Sequence, residues 1–121
     1  MKKYLLIFVV AVCFLSFQTN QITWVAIGDS ITYLNDHPNE TGNRVTKGYM
    51  TLVTERLPQI KYINKGYNGW TSVRIAENIE KLGLTSADVY TIFLGTNDWW
   101  QGRPIGQTTD YQQNTGINTI Y

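Results

Sequence analysis

The chain has 121 residues, of which 43% are hydrophobic, 13% aromatic and 16% charged, with a formal net charge of +1. Disordered chains are poor in aromatics and carry more net charge, and a near-neutral balance gives no counterion-release drive toward nucleic acid. The length holds at most one domain of ordinary size.

Met1-Lys2-Lys3 is a short basic start, and Leu5 to Phe17 is apolar throughout except for Ser16. That run is shorter than the roughly 20 residues of a membrane-spanning helix, and it lacks the polar face of a buried amphipathic one. It fits the apolar core of a secretory signal. Residues 1–20 therefore read as an export signal rather than a stable membrane span, which places the protein in the periplasm or outside a bacterial cell. Cys13 lies inside the apolar run after Val12, where a lipoprotein anchor would want a small residue. Without Lys2 and Lys3, the ten basic residues fall to eight against nine acidic ones. No thiol then remains for a disulfide or a nucleophile.

From residue 22 the pattern alternates strand and helix. Ile22 to Ile27 is a β-branched and aromatic run closed by Gly28, which predicts a buried strand. Residues 33–48 are polar and contain Pro38, Gly42 and Gly48, so they read as a long surface loop. Tyr49, Met50, Val53 and Leu57 recur at helical spacing before Pro58. Ile60 to Ile63 predicts a second strand. Thr71 or Ser72 can cap a helix with the face Val73, Ala76, Ile79 and Leu82, ended by Gly83. Val89 to Leu94 predicts a third strand, apolar enough to be covered on both faces, and Asp110 offers the cap of a further helix.

Strands joined by such helices make right-handed crossovers in a parallel sheet, so the fold class is α/β, doubly wound. In these sheets the ligand site lies beyond the carboxyl ends of the strands. Small polar residues with glycine stand at all three ends: Gly28-Asp29-Ser30-Ile31-Thr32, then Asn64-Lys65-Gly66-Tyr67-Asn68-Gly69, then Gly95-Thr96-Asn97-Asp98. A serine in the first turn of a helix sits beside unpaired backbone N–H groups, which suits a nucleophile whose attack creates an oxyanion. No Gly-x-Ser-x-Gly elbow and no phosphate-binding glycine loop is present.

Together the three blocks resemble those of the SGNH hydrolases, the GDSL family of esterases and lipases. The resemblance spans residues 22 to 100 and implies a three-layer, flavodoxin-like doubly wound sheet truncated after the third strand, with residues 21–121 the N-terminal part of the hydrolase domain. It implies Ser30 as nucleophile, with the Ser30 and Gly66 backbone N–H groups and the Asn97 side chain as the oxyanion hole. Gly28, Asp29 and Asp98 would organise the site, and Gly69 would serve the turn into the next helix. It implies an ester substrate and no metal or organic cofactor. Trp70, Trp99 and Trp100 flank the second and third blocks. Their aromatic faces suit stacking on sugar rings, which points toward acetyl esters of carbohydrates, unless they fill space beneath a further part of the fold.

The family's last block, an Asp-x-x-His that supplies the general base, is missing. The one histidine, His37, lies in a loop seven residues after Ser30 and reads as a solvated side chain or a substrate contact, not as the base. Loss of a triad member costs orders of magnitude in rate. The expectation is thus part of a longer hydrolase, inactive alone. The alternatives are a carbohydrate-binding pseudo-hydrolase and a second chain that supplies the missing half.

Overall fold

The computed structural model describes residues 20–120. The expected export signal, Cys13 included, falls outside them except for Asn20. Among the described residues no helix is long and apolar enough to cross a membrane.

Three parallel strands, β1 (Ile22–Gly28), β2 (Ile60–Gly66) and β3 (Val89–Phe93), form one sheet in the order β2-β1-β3. The central strand shows why the sequence makes this fold. Its side chains alternate between faces, and both faces are apolar. Trp24 and Ala26 pack with Met50 on one side, while Val25 and Ile27 pack with Ile75 and Leu82 on the other. A strand buried on both faces needs a helical layer on each, which gives the three-layer α/β sandwich.

Helix α1 (Ser30–Tyr33) follows β1 at once, and α2 (Tyr49–Arg56) leads into β2. Helix α2 buries Met50 and turns Tyr49 and Val53 toward Trp24 and Ala26. Leu57, expected on the same face, is exposed because the helix has already ended at Arg56. The segment between α1 and α2 is more ordered than the predicted loop. It winds into 3-10 turns at Leu34–Asp36 and Pro38–Thr41, the second tightened by a hydrogen bond from Thr41 Oγ1 to the Pro38 carbonyl at 2.6 Å.

Thr71 is the cap of α3 (Ser72–Glu77), its hydroxyl accepting from the Arg74 N–H at 3.2 Å. Of the predicted face of this helix only Leu82 is in the core. Ile75 and Leu82 point into the core, whereas Ile79 is exposed and Val73 and Ala76 line a shallow cleft with Ile117 and Thr119. The α-helix stops at Asn78 and continues as a 3-10 turn, Ile79–Leu82, so a single 3.6-residue period cannot describe the whole segment.

Strand β2 runs three residues past Ile63, because Asn64, Lys65 and Gly66 still pair with Ala26, Ile27 and Gly28. Strand β3 is not covered on both faces among the described residues. Ile92 is 68% and Phe93 51% exposed, and β3 is hydrogen-bonded on one side only. Beyond it come α4 (Thr96–Trp100) and α5 (Thr108–Gln113). Asp110 sits one turn inside α5 rather than at its cap, and its carboxylate accepts from the Gln107 N–H at 2.6 Å.

Candidate active site

The strand register sets the geometry. Gly28 is paired with Gly66 on one side and with Phe93 on the other. All three strands therefore end level, and the three polar blocks emerge at one edge of the sheet.

Ser30 is the first residue of α1. Asp29, 1% exposed, caps it by accepting the Ile31 N–H at 3.0 Å. The turn from β1 into α1 is packed so closely that a Cβ on Gly28 would stand 2.1 Å from Thr32 Oγ1 and 2.9 Å from the Phe93 carbonyl. Thr32 is itself fully buried, and its hydroxyl is 3.0 Å from that of Tyr49. Gly28 thus allows the close turn, and Asp29 caps the helix that Ser30 opens.

Gly66 is a packing residue. A Cβ there would lie 2.1 Å from the Tyr33 backbone nitrogen, so its bareness lets the end of β2 approach α1. Its N–H donates to Asn64 Oδ1 at 2.8 Å. The Asn64 amide in turn donates to the Thr32 carbonyl at 3.0 Å and to Asp36 Oδ2 at 2.7 Å. Gly69 is placed differently. It stands third in a turn closed by a bond from the Trp70 N–H to the Tyr67 carbonyl, with φ +74°, and nothing lies within 4 Å of where its Cβ would be. Among the described residues its N–H has no partner.

Asn97 and Asp98, in the first turn of α4, tie the third block to the second. Asn97 Nδ2 donates to the Trp70 carbonyl at 2.8 Å. Asp98 is fully buried and accepts from the Ser72 N–H at 2.9 Å and from the Ser72 hydroxyl at 2.6 Å. Arg103 Nε stands 3.6 Å from the same carboxylate. Asp98 thus clamps the start of α3 to the start of α4.

His37 is stacked on Tyr33 with ring centroids 3.9 Å apart, and its Nδ1–H donates to the Tyr33 carbonyl at 2.8 Å. An imidazole bound to the backbone in this way is a structural side chain of the 33–48 segment. The three tryptophans divide. The ring of Trp70 is stacked on Tyr67 at 4.3 Å and carries the Arg74 guanidinium 4.7 Å from its centroid, so its π surface is already engaged. Trp99 and Trp100 are 68% and 78% exposed.

A polar network centred on Asp36 was not foreseen from sequence. Partial desolvation raises the Asp36 pKa, but hydrogen bonds from Tyr62, Asn64 and Asn35 outweigh it and hold the carboxyl below its ordinary value. Tyr62 is held above the usual phenol value by burial and by its bond to Asp36. Asn35, 6% exposed, also accepts the Met50 N–H at 3.0 Å. The network joins α1, α2 and β2. The only sequence signal for it was Asn64, two residues before Gly66.

The sequence profile of the GDSL-like lipase/acylhydrolase family matches residues 26–120. The fold is similar to the crystal structure of a possible lipase from Chitinophaga pinensis, with a TM-score of 0.79 and 68% identity over 83% of this chain and 39% of that one. It is also similar to the SGNH-hydrolase family esterase AlinE4, with a TM-score of 0.54 and 21% identity over 80% of this chain and 51% of that one. No curated protein matches. The chain thus spans about two-fifths to one-half of the two proteins it resembles in structure. With a family profile over most of its length, a level edge of three polar blocks and a serine opening the first helix, the chain belongs to the GDSL-like lipase/acylhydrolase family.

Proposed function

We propose that these residues form the nucleophile and oxyanion-binding half of an exported serine esterase that removes acyl groups, acetyl above all, from carbohydrates. The observation that carries the esterase reading is the bonding of the third block to the second, Asn97 to Trp70 and Asp98 to Ser72, at the sheet edge where Ser30 opens α1. The Ser30 hydroxyl adds to the ester carbonyl while its proton passes to a base from outside residues 20–120, since the family's Asp-x-x-His block does not occur in this sequence. The carbonyl oxygen becomes an oxyanion facing the Ser30 N–H and Asn97 Nδ2. We assign the third donor to Gly69 rather than Gly66, because the Gly66 N–H is spent on Asn64 and its Cα is sealed against Tyr33. The alcohol leaves with the proton held by the base. Water then adds to the acyl-serine and releases the acid.

Exogenous imidazole tests this reading, because it can stand in for a missing histidine base. The 121-residue chain should hydrolyse an aryl acetate slowly, and imidazole should raise the rate well above that of Ser30→Ala under the same conditions. Equal rates for the two proteins at every imidazole concentration would refute Ser30 as nucleophile. Preference for long-chain acyl esters over acetyl esters would refute the acetyl assignment.

A further inference from the structure

Beside Gly69, between α3 and the segment after α4, lies a cleft of about 420 Å³. Its polar lining comes from Arg74, Glu77 and Asn78 on one side and from Gln101, Arg103 and Asn118 on the other. We propose that this cleft is the subsite for the alcohol part of the ester, and that it takes a neutral, hydroxyl-rich ligand, a carbohydrate. The word alcohol rests on the esterase reading above; the carbohydrate rests on the cleft itself.

Three features carry the assignment. The first is position, since Gly69 belongs to the cleft wall and also to the turn whose Trp70 carbonyl receives Asn97. A group held here lies next to the residues that would hold the oxyanion. The second is charge balance. Arg103 has Asp98 Oδ1 at 3.6 Å, and Arg74 shares the wall with Glu77. The positive groups are thus matched by carboxylates, and the cleft has no net pull on an anion. The third is spare hydrogen-bonding capacity of both signs. The Arg103 side chain makes one long hydrogen bond, 3.4 Å to Asn118 Oδ1. Gln101 and Asn118 are exposed amides, each able to donate and to accept. Sugar hydroxyls also do both, and planar guanidinium and amide groups can bind two of them at once.

The test is an amide chemical-shift titration of the 121-residue chain with xylotetraose and chitotetraose as neutral probes and inorganic phosphate as the anionic one. A neutral oligosaccharide should give saturable shifts at Gly69, Arg74, Gln101 and Asn118. Gln101→Ala and Asn118→Ala, both at exposed positions, should each weaken its binding about fivefold or more. Shifts with phosphate alone, shifts that both variants leave unchanged, or no saturable shift with either oligosaccharide would overturn the proposal. The esterase reading fails separately. If imidazole drives acetyl ester turnover at Ser30 while neither sugar binds, the cleft assignment falls and the esterase stands. If a sugar binds in the cleft while Ser30 stays inert, the reverse holds.

Discussion

The Ser30 side and the Asn97 side of the candidate site are built by different forces. Around Ser30 the parts fit by shape. Gly28 and Gly66 leave no room for a methyl group, Thr32 is fully buried, and the end of β2 presses on the backbone of Tyr33. Around Asn97 they are joined by polar bonds. Strand β3 and the helix after it expose Ile92, Phe93, Trp99 and Trp100, and what holds the third block is Asn97 on Trp70 and Asp98 on Ser72. Close packing tolerates almost no change in volume, whereas a buried carboxylate clamp fails when its charge or its acceptors are removed. The same sheet edge should therefore break in two distinguishable ways.

The largest effect is expected on the packed side. Gly66→Ala sets a methyl group 2.1 Å from the Tyr33 nitrogen, a backbone atom that cannot swing away. It should lower unfolding free energy by about 3 kcal/mol, an overpacking cost, in denaturant titration. Gly69→Ala, where no atom lies within 4 Å, should cost about 1 kcal/mol, from its positive φ alone. Equal costs at the two glycines would dissolve the distinction drawn between them. On the polar side, Asp98→Ala leaves the Ser72 N–H and hydroxyl without acceptors and should cost about 2 kcal/mol. Thr71→Ala removes only the cap of α3 and should cost about 1 kcal/mol.

The smallest effect concerns pH. The Asp36 carboxyl has a lower pKa folded than its ordinary 3.8. The unfolded chain therefore takes up the proton first as pH falls, so the contribution of Asp36 is complete above the ordinary value and disappears as pH drops through the folded one. Asp36 is exposed, so the contribution is modest. In Asp36→Asn the loss of stability below about pH 4 should be shallower than in the parent, as thermal melts across pH would show. An unchanged profile would remove Asp36 from the account of what holds α1 to β2.

Much of the fold was legible because the strands carry strong local signals. Ile22 to Ile27 and Val89 to Leu94 are β-branched and aromatic runs, and glycine with small polar residues follows each strand end. The face of α3 was not legible, since the break at Asn78 is a tertiary compromise that brings both Ile75 and Leu82 under β1. The difference in packing between Gly66 and Gly69 was hidden for a similar reason. Both are glycines in one short block, and only the approach of Tyr33 and the Asn64 bond separate the packing residue from the open one. Trp70 read as a free aromatic surface because its partners, Tyr67 and Arg74, are three and four residues away on a turn and a helix start whose geometry the sequence does not specify.

The level pairing of Gly28 with Gly66 and Phe93 also makes the sheet a ruler. Ser30 and Asn97 are far apart along the chain, yet their strands are immediate neighbours, about 4.8 Å apart. The connecting segments can lengthen or shorten without changing that spacing. A single residue inserted within a strand would shift its block by about 3.3 Å and turn its side chains to the opposite face. The exposed parts of the crossovers, residues 42–46 above all, are thus the natural places to graft new recognition elements, while the three strands set a tolerance of less than one residue.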